Sequence, residues 1–238
     1  MGIVASPLRA LPPRSYGKLA RQVQRLAAAA LVLCFAAFPG VFAAAAADKP
    51  VRIVALGDSL TAGYQLPAAD AFPARLAQAL RAKGLAVEIA NAGVSGDTST
   101  GGLSRLDWSV PDGTDAVILE LGANDVLRGI EPKVTQAALD ETIGKLKARG
   151  IEVLLCGMLS PPNMGPDYAR AFNAIFPALA AKHGVAFYPF FLEGVAANAK
   201  LNLADGMHPN AAGVDEIVRR MLPEVEKLVA RIRARRGA

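Results

Sequence analysis

Residues 51–60 read Val-Arg-Ile-Val-Ala-Leu-Gly-Asp-Ser-Leu. Five of the first six are apolar, the run stops at Gly57, and polar residues follow at once. A short apolar run closed by glycine reads as a buried strand. The pattern recurs at 87–90, 116–121, 151–155 and 185–188. Helical spacing fills the gaps. Residues 71–83 carry Phe72, Leu76, Ala79 and Leu80 on one face and stop at Gly84. Pro132 opens a helix whose inner face holds Ala138, Leu139, Thr142, Ile143 and Leu146, with Gly150 at its close. Residues 167–183 read as one helix stopped by Gly184, and Pro209 suits the first position of a last helix running to about 235. Alternating helices and nearly all-apolar strands predict an α/β fold: three layers, with a five-stranded parallel sheet covered on both faces.

In such sheets ligands bind beyond the carboxyl ends of the strands. The polar, glycine-rich segments gather there. Strand one ends in Gly57-Asp58-Ser59-Leu60, strand two in Asn91-Ala92-Gly93-Val94-Ser95-Gly96-Asp97, and strand three in Gly122-Ala123-Asn124-Asp125. Strand four ends near Ser160-Pro161, and Asp205-Gly206-Met207-His208 precedes the last helix. Acyl transfer needs a hydroxyl near a base, a third group to orient the base, and donors for an oxyanion. His208, three residues after Asp205, suits the base. His183 sits in the last turn of a helix, where a histidine complements the helix dipole. Taken singly, Ser59 after Asp58 is equally a helix cap, Gly93 a turn glycine and Asn124 a cap. Their joint placement with a late Asp and His argues for chemistry. Gly57-Asp58-Ser59-Leu60-Thr61 lacks the second glycine of a nucleophile elbow.

Composition narrows the classes further. The 238 residues carry a formal charge of +5, two Cys and two His. Residues 1–47 hold five of the 26 basic residues and no acidic one; the remaining basic residues balance the 21 acidic ones. The excess charge therefore belongs to the leader, and no nucleic-acid partner is expected. Basic residues up to Arg25, an apolar stretch over 26–38 and small residues at 43–47 predict a secretory signal peptide cleaved near Ala47, giving a periplasmic or secreted body. The rival is an uncleaved anchor over 26–47, which Pro39-Gly40 interrupts. Residues 48–238 suit one domain. With Cys34 in the leader, Cys156 alone cannot build a Cys-rich zinc site or an internal disulfide, and two His cannot build a His-rich one. No metal or cofactor is expected.

The segments 57–64, 91–99, 120–129 and 205–210, in this order, resemble the SGNH (GDSL) hydrolase superfamily, nearest its bacterial periplasmic thioesterase, lysophospholipase and arylesterase group. The resemblance covers essentially residues 50–220. It implies a flavodoxin-like fold with strand order 2-1-3-4-5. It implies Ser59 as nucleophile, His208 as general base and then acid, and Asp205 as its orienting group. It implies an oxyanion hole of the Ser59 and Gly93 backbone N–H groups and the Asn124 amide. Asp58 and Asp125 are expected to hold loop backbone. Glu120, inside an apolar strand, needs a partner if buried.

The substrates implied are small carboxylic esters and thioesters: aryl esters, lysophospholipids or acyl thioesters. Loops 94–102 and 159–166 flank the site. Ser160 and Pro161 are expected to line an acyl pocket, Ser160 being more polar than the family pattern. A carbohydrate deacetylase is the alternative within the family; a non-catalytic flavodoxin-like binding module is the alternative outside it. A monomer is expected, with at most a transient membrane-surface contact through the C-terminal arginines.

Overall fold

The computed structural model describes residues 49–237. The expected signal peptide lies outside them. The strands are β1 (Val51–Gly57), β2 (Val87–Gly93), β3 (Ala116–Glu120), β4 (Glu152–Cys156) and β5 (Ala186–Tyr188), all parallel in the order β2-β1-β3-β4-β5. This is the expected α/β architecture and strand order. β3 is buried at every position, as suits a central strand covered on both faces. β2 runs three residues beyond the apolar stretch read from the sequence. It is an edge strand with polar and exposed positions, held by backbone pairing to β1 through Gly57↔Gly93. An edge strand need not be apolar to pair.

The helices are α1 (Ser59–Ala62), α2 (Phe72–Ala82), α3 (Ser99–Ser104), α4 (Leu106–Ser109), α5 (Ala123–Leu127), α6 (Pro132–Ala148), α7 (Pro166–Asn173), α8 (Ile175–His183) and α9 (Ala211–Gly237). α2 packs with α9 on one side of the sheet; α6 packs with α3 and α8 on the other. On α9, Val214, Ile217, Val218, Met221, Val225, Leu228, Val229 and Ile232 are buried, a stripe at three- and four-residue spacing.

Two helix readings change. Residues 167–183 form α7 and α8, with a break at Ala174. Pro177 has no N–H to give Asn173, and its ring crowds that carbonyl, which favours a break one turn before it. The last helix starts at 211 and not at Pro209. Pro209 bridges to Asn202, and the Asn210 side chain accepts the Gly213 N–H at 3.0 Å as the helix cap.

This order makes β1 and β3 neighbours whose following segments lead to opposite faces of the sheet. That divergence opens a crevice at their carboxyl ends. Among the described residues no helix is long and apolar enough to cross a membrane.

Candidate active site

The crevice is built from the ends of β1, β2 and β3 and from the loop before α9. Ser59 is the first residue of α1, and Asp58 caps that turn, accepting the Leu60 N–H on Oδ1 at 2.9 Å. Ser59 is 8% exposed. Its Oγ lies 2.9 Å from His208 Nε2, although the two residues are 149 positions apart. His208 Nδ1 lies 2.7 Å from Asp205 Oδ2.

The histidine loop is tied internally. Leu203 N–H donates to the His208 carbonyl, Asn210 N–H to that of Leu201, and Gly206 N–H to that of Leu203. Asp205 Oδ1 accepts the backbone N–H groups of Met207 at 2.9 Å and His208 at 3.0 Å. Those backbone bonds, first that of His208, and then the imidazole hold the Asp205 carboxyl down at about 2. An ionised Asp205 only accepts, so a neutral His208 carries its proton on Nδ1 and turns the Nε2 lone pair to the Ser59 hydroxyl. Such a chain can remove the hydroxyl proton as the oxygen attacks a carbonyl carbon. Tyr64 covers one face of the imidazole, its ring centre 4.4 Å away. Sequence reasoning gave Tyr64 no role, although it closes the 57–64 segment.

Asn124, in the first turn of α5, gives one amide hydrogen to Asp58 Oδ2 at 3.1 Å and lines the same cavity as Ser59 and His208. Gly93 departs from expectation. Its N–H is donated to Asn91 Oδ1 at 2.9 Å, so it is not available to an oxyanion. Its glycine has another cause: a Cβ there would lie 2.2 Å from Ala62 N and 2.8 Å from the Asp58 carbonyl. β2 and the turn carrying Ser59 touch backbone to backbone at this point. In the loop beyond, the Gly96 N–H meets no acceptor among the described residues, while its carbonyl accepts Arg128 Nη2 at 2.6 Å. Arg105, also missed, is buried and ties the strand ends together, donating to the carbonyls of Gly57 and Ala92 at 2.8 Å each and pairing with Asp97 at 2.7 Å.

Glu120 is fully buried below Ser59. Its Oε2 accepts the Thr61 hydroxyl at 2.7 Å and faces the Asp58 N–H at 3.4 Å. Its Oε1 has no partner among the described residues. Burial above all, and then the Asp58 charge, pushes the Glu120 carboxyl well above the usual range. Asp125 is structural in its bonds, accepting the Ser99 N–H at 2.8 Å, the Ser99 hydroxyl at 2.5 Å and the Thr135 hydroxyl at 2.9 Å. His183 is far from this cluster in role: its Nε2 meets Asp140 Oδ1 at 2.5 Å.

A cavity of about 480 Å³ opens beside Ser59. Ser160 and Pro161 line it, as expected, together with Leu60, Val126, Leu127, Met158, Leu159, Phe190 and Leu192. This apolar lining comes from the segments after β1, β3, β4 and β5, and of the pocket wall only Ser160 and Pro161 were anticipated. Leu127, Leu159 and Met207 are about half exposed at its mouth.

Residues 55–215 match the GDSL-like lipase/acylhydrolase family. The chain is 41% identical to an arylesterase of Vibrio mimicus over 166 residues, which covers 69% of this chain and 83% of that one. It is 39% identical to thioesterase 1/protease 1/lysophospholipase L1 of Escherichia coli strain K12 over 189 residues, covering 79% and 88%. A solved structure of the psychrotrophic esterase EstA of Pseudoalteromonas, inhibited by monoethylphosphonate, superposes with a TM-score of 0.72 at 31% identity, covering 76% of this chain and 99% of that one. The chain belongs to the GDSL-like lipase/acylhydrolase, or SGNH hydrolase, family and is a serine hydrolase of small-molecule esters.

Proposed function

We propose that Ser59, His208 and Asp205 are the catalytic triad of this esterase. The observation that carries the reading is the unbroken chain Asp205–His208–Ser59, at 2.7 and 2.9 Å, in the wall of an apolar cavity. Ser59 Oγ attacks the ester carbonyl while His208 Nε2 takes its proton. Asp205 steadies the imidazolium formed. The oxyanion is met by the Ser59 N–H, the free amide hydrogen of Asn124 and, in place of Gly93, the N–H of Gly96. His208 then gives its proton to the departing alcohol or thiol, leaving an acyl-Ser59. Water, deprotonated by His208, releases the acid.

The acyl group occupies the apolar cavity, which suits aryl esters, lysophospholipids and acyl thioesters better than a polar sugar. Residues 1–47 act as a signal peptide that exports the enzyme to the periplasm or beyond. The basic start, apolar middle and alanine-rich exit support that reading.

The direct test is intact-mass measurement and peptide mapping of residues 48–238 after exposure to a fluorophosphonate. An adduct on Ser59 that is lost in His208→Ala is expected. An adduct on another serine, or none on folded protein, would overturn the assignment. For the phosphonylated protein, the amide resonance of Gly96 is expected to move strongly and that of Gly93 little; the reverse would return the oxyanion hole to Gly93. For the leader, N-terminal sequencing of exported protein is expected to start at Asp48. Recovery only of the uncleaved chain would favour an anchor.

A further inference from the structure

We propose that Asp58 is a positioning residue that sets the polarity of the Asn124 amide, keeping its nitrogen and not its oxygen towards the reacting carbonyl. The inference rests on the reading of Asn124 as an oxyanion donor.

A side-chain amide is nearly symmetric in shape. Its two ends differ only in that one donates and the other accepts, so its neighbours decide which way it sits. Around Asn124 the deciding neighbour is Asp58. This carboxylate is fully buried and spends Oδ1 on the Leu60 N–H at the start of the Ser59 turn. Its Oδ2 faces Asn124 Nδ2 at 3.1 Å. An ionised carboxylate has nothing to donate, so it admits the nitrogen end and rejects the oxygen end. With one amide hydrogen held there, the second is left for the cavity. A reversed amide would put a carbonyl oxygen near the developing oxyanion, turning a stabilising contact into a repulsive one.

Asp58 must be charged for this to work. Burial raises its carboxyl to about 6, opposed by the Leu60 N–H and then the Asn124 amide. The charged or titratable groups around it are Glu120, His208 and Asp97. Glu120 is fully buried, and burial above all, then the Asp58 charge, pushes its own carboxyl well above the ordinary range. The Asp58 carboxylate thus fixes two oxyanion donors at once: the N–H of Ser59 through the turn it caps, and the amide of Asn124 through its second oxygen.

The experiment is a double-mutant cycle on one p-nitrophenyl ester near pH 8, with kcat and KM measured separately and folding checked by circular dichroism. The variants are Asn124→Ala, Asp58→Asn and both together. Asn at 58 keeps an acceptor for the Leu60 N–H and offers Asn124 a donor, which reverses the amide. Asn124→Ala is expected to lower kcat by roughly 10²–10³-fold. Asp58→Asn should lower kcat by roughly 10²-fold, with KM within about twofold, and the double variant should be no slower than Asn124→Ala by more than about threefold. If Asp58→Asn stays within about threefold of wild type, or the two losses multiply, Asp58 does not act through Asn124 and this inference falls while the oxyanion reading stands. If Asn124→Ala itself stays within about threefold, the oxyanion reading falls and this inference with it. Should Asp58→Asn not fold, Asp58→Ser, which retains a capping oxygen but no carboxylate, takes its place in the cycle with the same criteria.

Discussion

Glu120 is a residue whose placement is costly. It stands in the central strand, fully buried, with one carboxyl oxygen on the Thr61 hydroxyl and the other without a partner among the described residues. Gly57 opposite it has no room for a side chain, since a Cβ would lie 2.6 Å from Glu120 Oε2. Its carboxyl is raised by burial and by Asp58, and Asp58 is raised to about 6 mainly by burial. Both groups therefore hold protons in the fold at a pH where the unfolded chain has released them. The stability tied to them is complete below the ordinary carboxylate range, near 4, and is lost as pH rises through the folded values. Each proton contributes a slope of up to about 1.4 kcal/mol per pH unit. Glu120→Gln removes one titrating proton and keeps an acceptor for Thr61. Its urea midpoint is expected to fall less between pH 5 and 8 than that of wild type; parallel pH profiles would mean Glu120 is ionised in the fold. From the sequence, a glutamate in an apolar strand already required a partner. Thr61 could not be named, because the partner exists only once β1 and β3 lie side by side.

At the level of elements, what apolar pattern and glycine spell out was legible, and what backbone pairing and side-chain capping decide was not. All five strands fall where short apolar runs end in turn residues. The polar end of β2, the split between α7 and α8 and the late start of α9 were each set by something other than periodicity: pairing with β1, the missing N–H of Pro177 and the Asn210 cap. Gly93 shows the same limit within the site. The sequence offered it as a turn glycine or an oxyanion donor, whereas its place is set by close approach of the α1 backbone. Gly93→Ala must therefore push Ala62 and Asp58, and with them Ser59. A loss of roughly 1–3 kcal/mol in stability is expected, together with lower turnover. Gly144→Ala is the control: it lies inside α6 with open space around it and should gain about 0.5–1 kcal/mol. Equal effects of the two, measured by thermal unfolding and ester hydrolysis, would remove the β2–α1 contact as a constraint on the nucleophile.

Across the whole molecule, the strand order gathers segments that lie far apart in the chain. Ser59 and Asn124 could be picked out because polar residues at the ends of neighbouring strands converge in a parallel sheet of this type, and Asp205 and His208 through their spacing and the family resemblance of segment 205–210. The cavity could not. Val126 and Leu127 follow β3, Met158 to Pro161 follow β4, and Phe190 and Leu192 follow β5, so their meeting depends on three connections closing over one crevice. Read one at a time, each is an ordinary apolar residue near a turn. Together they enclose about 480 Å³ of mostly apolar space beside Ser59, and that space sets the substrate expectation. If an acyl chain fills it, each added methylene removed from water contributes at most about 0.8 kcal/mol, or roughly fourfold in kcat/KM. For p-nitrophenyl esters lengthened from acetate, kcat/KM is expected to climb by up to that factor per carbon until the cavity is full, and then level off. Chains beyond the plateau should change KM and kcat little, since their extra carbons stay at the half-exposed mouth formed by Leu127, Leu159 and Met207. A profile that is highest at acetate and falls steadily would place the acyl group outside this cavity. The apolar space would then belong to the alcohol side of the ester, and removal of acetyl groups from larger alcohols would become the reading the fold supports.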